Sequence, residues 1–165
     1  MGLCLRRTYV VALCLLIAGC HRVIEPASEF DCSDQTRAGQ LLSGFWQIEE
    51  GRWRWTAREF WIALRPPDGA DLSGATVDLQ IFVPDAQIAK LGPMTLTAFV
   101  NGRQFGSKTF AAGGSYEYSE EVPKDALATS LLPLRFVFDK AAAPWTTDGR
   151  ELAAVVSRVG LSLDR

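Results

Sequence analysis

One histidine in 165 residues is the first exclusion this sequence makes. It is His21, next to Cys20 near the N-terminus. The rest of the chain therefore offers neither the Ser-His-Asp nor the Cys-His arrangement of a nucleophilic hydrolase. Zinc needs Cys or His ligands, and these too are missing beyond residue 32. No Gly-rich phosphate loop or dinucleotide fingerprint occurs, so no nucleotide cofactor is expected. Nor is there an apolar run long enough to span a bilayer. The longest, residues 9–17 (YVVALCLLI), has nine residues against the ~20 a spanning helix requires. Long amphipathic helix patterns are missing as well.

That short apolar run has another meaning. Arg6 and Arg7 precede it and small residues end it, the arrangement of a cleaved export signal. Leu16-Ile17-Ala18-Gly19-Cys20 resembles the bacterial lipobox, which implies cleavage before Cys20 and acylation of its sulfur and amine. Two or three acyl chains hold a protein on a bilayer far more firmly than one. In Gram-negative lipoproteins the next residue influences sorting. His21 rather than Asp there implies export to the outer membrane, facing the periplasm.

Cleavage would remove residues 1–19, with two of the 17 basic residues and none of the 19 acidic ones. Fifteen basic against 19 acidic residues leave a net charge of −4. Phosphate backbones demand clustered cations, so nucleic acid is excluded as a partner. Four cysteines shrink to one: Cys4 and Cys14 leave with the signal, Cys20 takes lipid, and Cys32 has no intrachain partner. An inert thiol is the favoured reading of Cys32, against capping or pairing with another protein. Residues 20–43 are polar and aperiodic, which predicts a lipidated tether ahead of a domain over residues 44–165.

Within that domain, residues 44–64 (GFWQIEEGRWRWTAREFWIAL) hold four of the five tryptophans. The alternation is period two, so the stretch is predicted as strands, with Glu50-Gly51 turning between the first two. Trp53 and Trp55 share one pleat face and Arg52 and Arg54 the other. This pair is expected in the core with Leu79, Ile81, Leu96 and Phe136, as structural residues. Residues 59–65 read as a further strand, with Phe60, Ile62 and Leu64 on one face and Trp61 on the other. Ala75–Val83 puts Val77, Leu79, Ile81 and Val83 inward until Pro84 stops it, and Asp85–Leu91 is predicted as one or two helical turns. Met94–Val100, Asn101-Gly102 and Arg103–Phe110 read as a hairpin, since Asn and Gly tolerate the positive φ of a two-residue turn. Strands around Tyr116 to Val122, over 134–138 and over 152–163 complete the pattern. The predicted fold is all-β, a single antiparallel sandwich.

Four short motifs then carry a resemblance. Gly44-Phe45-Trp46, Glu50-Gly51-Arg52-Trp53-Arg54-Trp55-Thr56, Val100-Asn101-Gly102-Arg103 and Asp148-Gly149-Arg150-Glu151-Leu152 look like a bacterial β-sandwich module appended to glycosyltransferases and other surface-polysaccharide proteins. The match covers most of residues 44–163 and resembles jelly-roll carbohydrate-binding modules. It carries no catalytic residues to transfer.

Paired carboxylates as glycosidase acid and base would draw on Glu49, Glu50, Glu59, Glu120 or Glu121. Asp68, Asp71 and Asp148 lack calcium-loop spacing. Solvated strand ends explain both sets, so no enzyme, metal or cofactor is expected. The main expectation is a lipid-anchored structural or protein-interaction module of the envelope, with a glycan-binding module as the alternative. For the latter, Trp61 on a mixed polar face and Trp145 in an irregular segment are the candidate contacts. Arg150 is expected to be structural rather than a ligand group, pairing with a nearby carboxylate or donating its fork to backbone carbonyls and so tying down the last strand.

Overall fold

The computed structural model describes residues 24–144 and 149–164. Cys20, His21, Trp145 and Asp148 lie outside the described residues. Nine strands are found among those described: β1 Glu29–Asp31, β2 Leu41–Glu49, β3 Trp53–Leu64, β4 Ala75–Val83, β5 Met94–Val100, β6 Arg103–Phe110, β7 Gly114–Val122, β8 Leu132–Phe138 and β9 Val155–Leu163. Two short helices, α1 Ala70–Ser73 and α2 Asp85–Leu91, sit in the connections. Every pairing is antiparallel, in the order β6-β5-β8-β3-β9-β4-β7, with β1 added to β9 and β2 to β3.

The turn chemistry explains the two tightest connections. Asn101 and Gly102 (φ 50° and 77°) take left-handed backbone, as a two-residue hairpin needs, and Glu50 and Gly51 (φ 48° and 68°) do the same in a three-residue turn in which the Arg52 N–H donates to the Glu49 carbonyl at 3.1 Å. Alternation supplies the core. In β4 the odd residues 75 to 83 are buried, and in β8 the even residues 132 to 138. Phe60 of β3 stacks on Phe136 of β8 at 5.1 Å, and Tyr118 of β7 meets Phe136 edge-on at 6.0 Å. The last contact joins the two layers of the sandwich, β6-β5-β8 on one side and β9-β4-β7 on the other.

β3 belongs to both layers. Arg54 and Trp55 pair with Val156 and Val155 of β9, whereas Glu59 to Leu64 pair with β8. The strand is continuous, so its parity holds throughout: Thr56, Phe60, Ile62 and Leu64 are buried. Trp53 and Trp55 therefore face outward and are half-exposed, not in the core as expected. Thr56 occupies the inward place between them and the phenylalanine, donating its hydroxyl to the Ala154 carbonyl at 3.2 Å.

The expected tether is also corrected. Phe30 pairs with Val159 and is buried, Cys32 is fully buried, and β2 begins at Leu41. Gln40 locks the segment by donating to the carbonyls of Ala27 and Ala63 at 2.9 and 2.7 Å. Polar composition concealed this, because one phenylalanine and one thiol reach the core between solvated neighbours.

The two ends of the path, β6 and β7, approach without a ladder between them. Lys108 Nζ donates to the Glu117 carbonyl across the gap. Gly106 lies over the buried Tyr118 hydroxyl, and a Cβ there would come within 2.6 Å of that oxygen and 2.5 Å of Glu120 Cγ. Overpacking so tight a seam costs about 1–3 kcal/mol. Gly106→Ala should lower the unfolding free energy by that amount in urea titration. An unchanged midpoint would show that the seam has room.

Candidate binding groove

Outward parity brings residues from four strands into one row. Trp55 lies opposite Val155, Val155 opposite Phe82, and Phe82 opposite Ser115. At a strand spacing of about 4.8 Å the row spans roughly 15 Å of the sheet. One step along, Gln80 pairs with Glu117, and a bulge in β9 beside Ile81 inserts Ser157. Trp53 and Glu49, a cross-strand pair, form one wall, and Pro84 stands at the other end. The resulting open groove has a volume of about 770 Å³. That lies within the range of small-molecule sites, and its floor is mostly apolar with polar groups at the sides, as such sites are. Phe82 is 45% exposed, unusual for a phenylalanine in mid-strand.

The surroundings hold these rings in place. Beneath the β7 end, Tyr116 turns inward beside Ile81, packing edge-on against Phe110 at 4.9 Å and donating its hydroxyl to the Ala112 carbonyl at 2.8 Å. Arg54, behind the tryptophans, donates to the carbonyls of Cys32 and Trp46 at 2.8 and 2.9 Å. Trp46 in turn donates its indole N–H to the Glu151 carbonyl at 2.9 Å. Arg150 donates to Glu49 at 2.7 Å and so ties the chain entering β9 to the groove wall. Arg52 lies 4.9 Å from the centroid of the Trp53 ring.

The other residues singled out from the sequence are elsewhere. Trp61 faces outward on the half of β3 that pairs with β8, away from Trp53 and Trp55. Its N–H donates to Glu59 at 2.8 Å, and Arg135 reaches the same carboxylate at 3.3 Å. Arg135 also lies 4.1 Å from the Phe99 ring and 5.9 Å from that of Trp61. Glu120 and Glu121 line a separate depression beside Thr76, and Asp68 pairs with Arg65 at 3.2 Å. Among the described residues no cluster of three or more His, Cys, Asp or Glu could hold a metal. Sequence reasoning missed Phe82, Val155, Gln80 and Glu117. Phe82 had a visible signal, an aromatic at the outward parity of a strand whose neighbours Ile81 and Val83 point inward.

No family model and no curated protein matches this sequence. Among solved structures, it is similar to the carbohydrate-binding module CBM36 in complex with calcium and xylotriose. The identity is 10% over 81% of this chain and 98% of that one, with a TM-score of 0.43. The CBM36-1 domain of a multidomain xylanase from the hindgut metagenome of Trinervitermes trinervoides shares 9% over 83% and 97%, with a TM-score of 0.46. TmCBM27, a carbohydrate-binding module described for specific mannan recognition, shares 14% over 84% and 98%, also at 0.46. Likeness at this level adds nothing to the strand pairing above, which defines an antiparallel β-sandwich by itself.

Cys32 lies directly behind this face, its N–H donating to the Ser157 carbonyl at 2.8 Å. Burial pushes its thiol from 9.0 up to about 12, outweighing the opposing pull of Arg54. A folded-state pKa above the unfolded one means that the native state favours the protonated thiol. That preference stabilises fully below pH 9 and is lost as the pH rises towards 12. Native protein at pH 8 should therefore resist aromatic disulfide reagents until denaturant is added, and Cys32→Ala should flatten the fall in stability between pH 9 and 12. Rapid labelling of the native thiol would refute the burial.

Proposed function

We propose that this chain is a non-catalytic glycan-binding module, held at the bacterial envelope by lipid on Cys20. The observation that carries the reading is the groove itself. Trp53, Trp55 and Phe82 present aromatic surface in an open trough, with Gln80, Ser115, Ser157 and Glu117 beside them. A pyranose has apolar C–H faces and a rim of hydroxyls, and such a trough complements both. A purely structural module gains nothing by leaving a phenylalanine at mid-sheet uncovered. The groove thus favours the alternative raised from the sequence over its main expectation.

The absence of catalysis is part of the proposal. Glycoside hydrolysis needs two carboxylates facing one bond, one to protonate and one to attack or activate water. Of the two in this groove, Glu49 is engaged by Arg150. The anchor rests on the lipobox motif. Because residues from 29 onward are in the sheet, about eight residues separate Cys20 from the domain, a reach of at most ~28 Å. The module would sit close to the membrane and contact glycans at its surface.

Two measurements test this. In affinity electrophoresis of the full chain against a panel of envelope and exopolysaccharides, at least one should retard it. Trp53→Ala and Trp55→Ala should weaken that binding about tenfold or more while shifting Tm by only a few degrees, as half-exposed rings allow. Binding by the variants equal to wild type, or no retardation by any polysaccharide, would overturn the assignment. For the anchor, Cys20→Ala should abolish metabolic labelling by a palmitate analogue, and equal labelling would refute it.

A further inference from the structure

Charge in the groove narrows what glycan it takes, given the reading above. Its two ionisable carboxylates stand at opposite ends, Glu49 on β2 and Glu117 on β7, roughly 20 Å apart measured across five strands. No lysine or arginine is among the described residues lining it. The cations nearby are held outside the trough. Arg52 lies by Trp53 and pairs with Glu50 at 2.9 Å, Arg150 grips Glu49, Arg158 pairs with Glu29 at 2.6 Å, and Lys108 is at the Glu117 carbonyl. The Glu117 carboxylate, exposed, makes no ion pair with any described residue. Its diagonal neighbour on the same face is Phe82, at the 7–8 Å typical of such pairs. A carboxylate beside an open aromatic face is the chemistry that receives a protonated amine, through charge on one side and the ring quadrupole on the other. Trp53 shows the same preference within the molecule, since it already draws a guanidinium.

We propose that the glycan bound here carries a free amine: a de-N-acetylated hexosamine unit places its ammonium between Glu117 and Phe82, while the chain runs across the strands to Trp55. The same charges disfavour polyuronates, whose carboxylates would meet Glu117 with nothing in the trough to offset it.

Calorimetric titration of the full chain with the glucosamine hexamer, the N-acetylglucosamine hexamer and the galacturonate hexamer tests the idea. An exposed charge pair is worth up to about fivefold in affinity, so the glucosamine hexamer should bind about two- to fivefold tighter than its acetylated counterpart, and the uronate weakest. The advantage should shrink in high salt. Glu117→Gln should bring the ratio to about one, whereas Trp55→Ala should weaken both hexamers and leave their ratio in place. A wild-type ratio of one or less, or a ratio that survives Glu117→Gln, overturns the amine assignment. If neutral glycans still bind in a Trp55-dependent way, the glycan reading stands and only the amine falls. If no glycan of any kind binds, both fall.

Discussion

Everything in this molecule depends on β3 remaining one strand while it changes partners. Its first residues bond to β9, where Thr56 and the carbonyl and amide of Ala154 and Ala153 close the ladder at 2.8 and 2.9 Å. Its last six bond to β8. Between these, Arg58 occupies the crossing, its amide held by Glu151 at 3.0 Å and its guanidinium by the Phe138 carbonyl at 3.2 Å. A strand that crosses without losing register keeps one parity from end to end. That parity sends Phe60, Ile62 and Leu64 into the core and Trp53, Trp55 and Trp61 out of it. The core and the groove are thus two consequences of one alternation, and a one-residue slip would exchange them.

This also explains what could be read from the chain beforehand. Strands with a single partner face were legible: alternation in β4 and β5, and the Asn101-Gly102 turn, are local properties that tertiary context did not override. The inward set Phe60, Ile62 and Leu64 was legible too. Carrying its parity back four residues would have put Trp53 and Trp55 outside. Reading residues 59–65 as a separate strand broke that link, and the bulk of two indoles then argued for the core. Size alone was the misleading signal, because a tryptophan flanked by arginines on a continuous strand is placed by register. The groove needed more than parity, since Val155, Phe82 and Ser115 meet Trp55 only through long-range pairing that no local pattern encodes.

The N-terminal segment was hidden for a different reason. Residues 29–43 contribute only Phe30, Cys32 and Gln40 to the interior, too few to raise a periodic signal. Gln40 is the informative member. A buried amide is costly unless paired, and here it accepts from the Ala27 N–H at 2.8 Å while donating to two carbonyls. It therefore acts as a clasp between the entering chain and the end of β3.

For any ligand of an open groove, how much of the binding geometry is preformed matters more than contact area. The groove meets that requirement from behind. Arg54, Trp46, Glu151 and Arg150 form a chain of hydrogen bonds that joins β1's exit, β2, β3 and the approach to β9. Each link donates to a carbonyl or carboxylate whose position is set by another strand. The indole of Trp46, pinned this way, serves the frame, whereas those of Trp53 and Trp55 remain available on the face above it. Four tryptophans close in sequence thus divide into a structural one, two in the groove, and Trp61, tied to Glu59 on the other layer. What separates them is the partner strand each faces, and the division follows from β3 being shared.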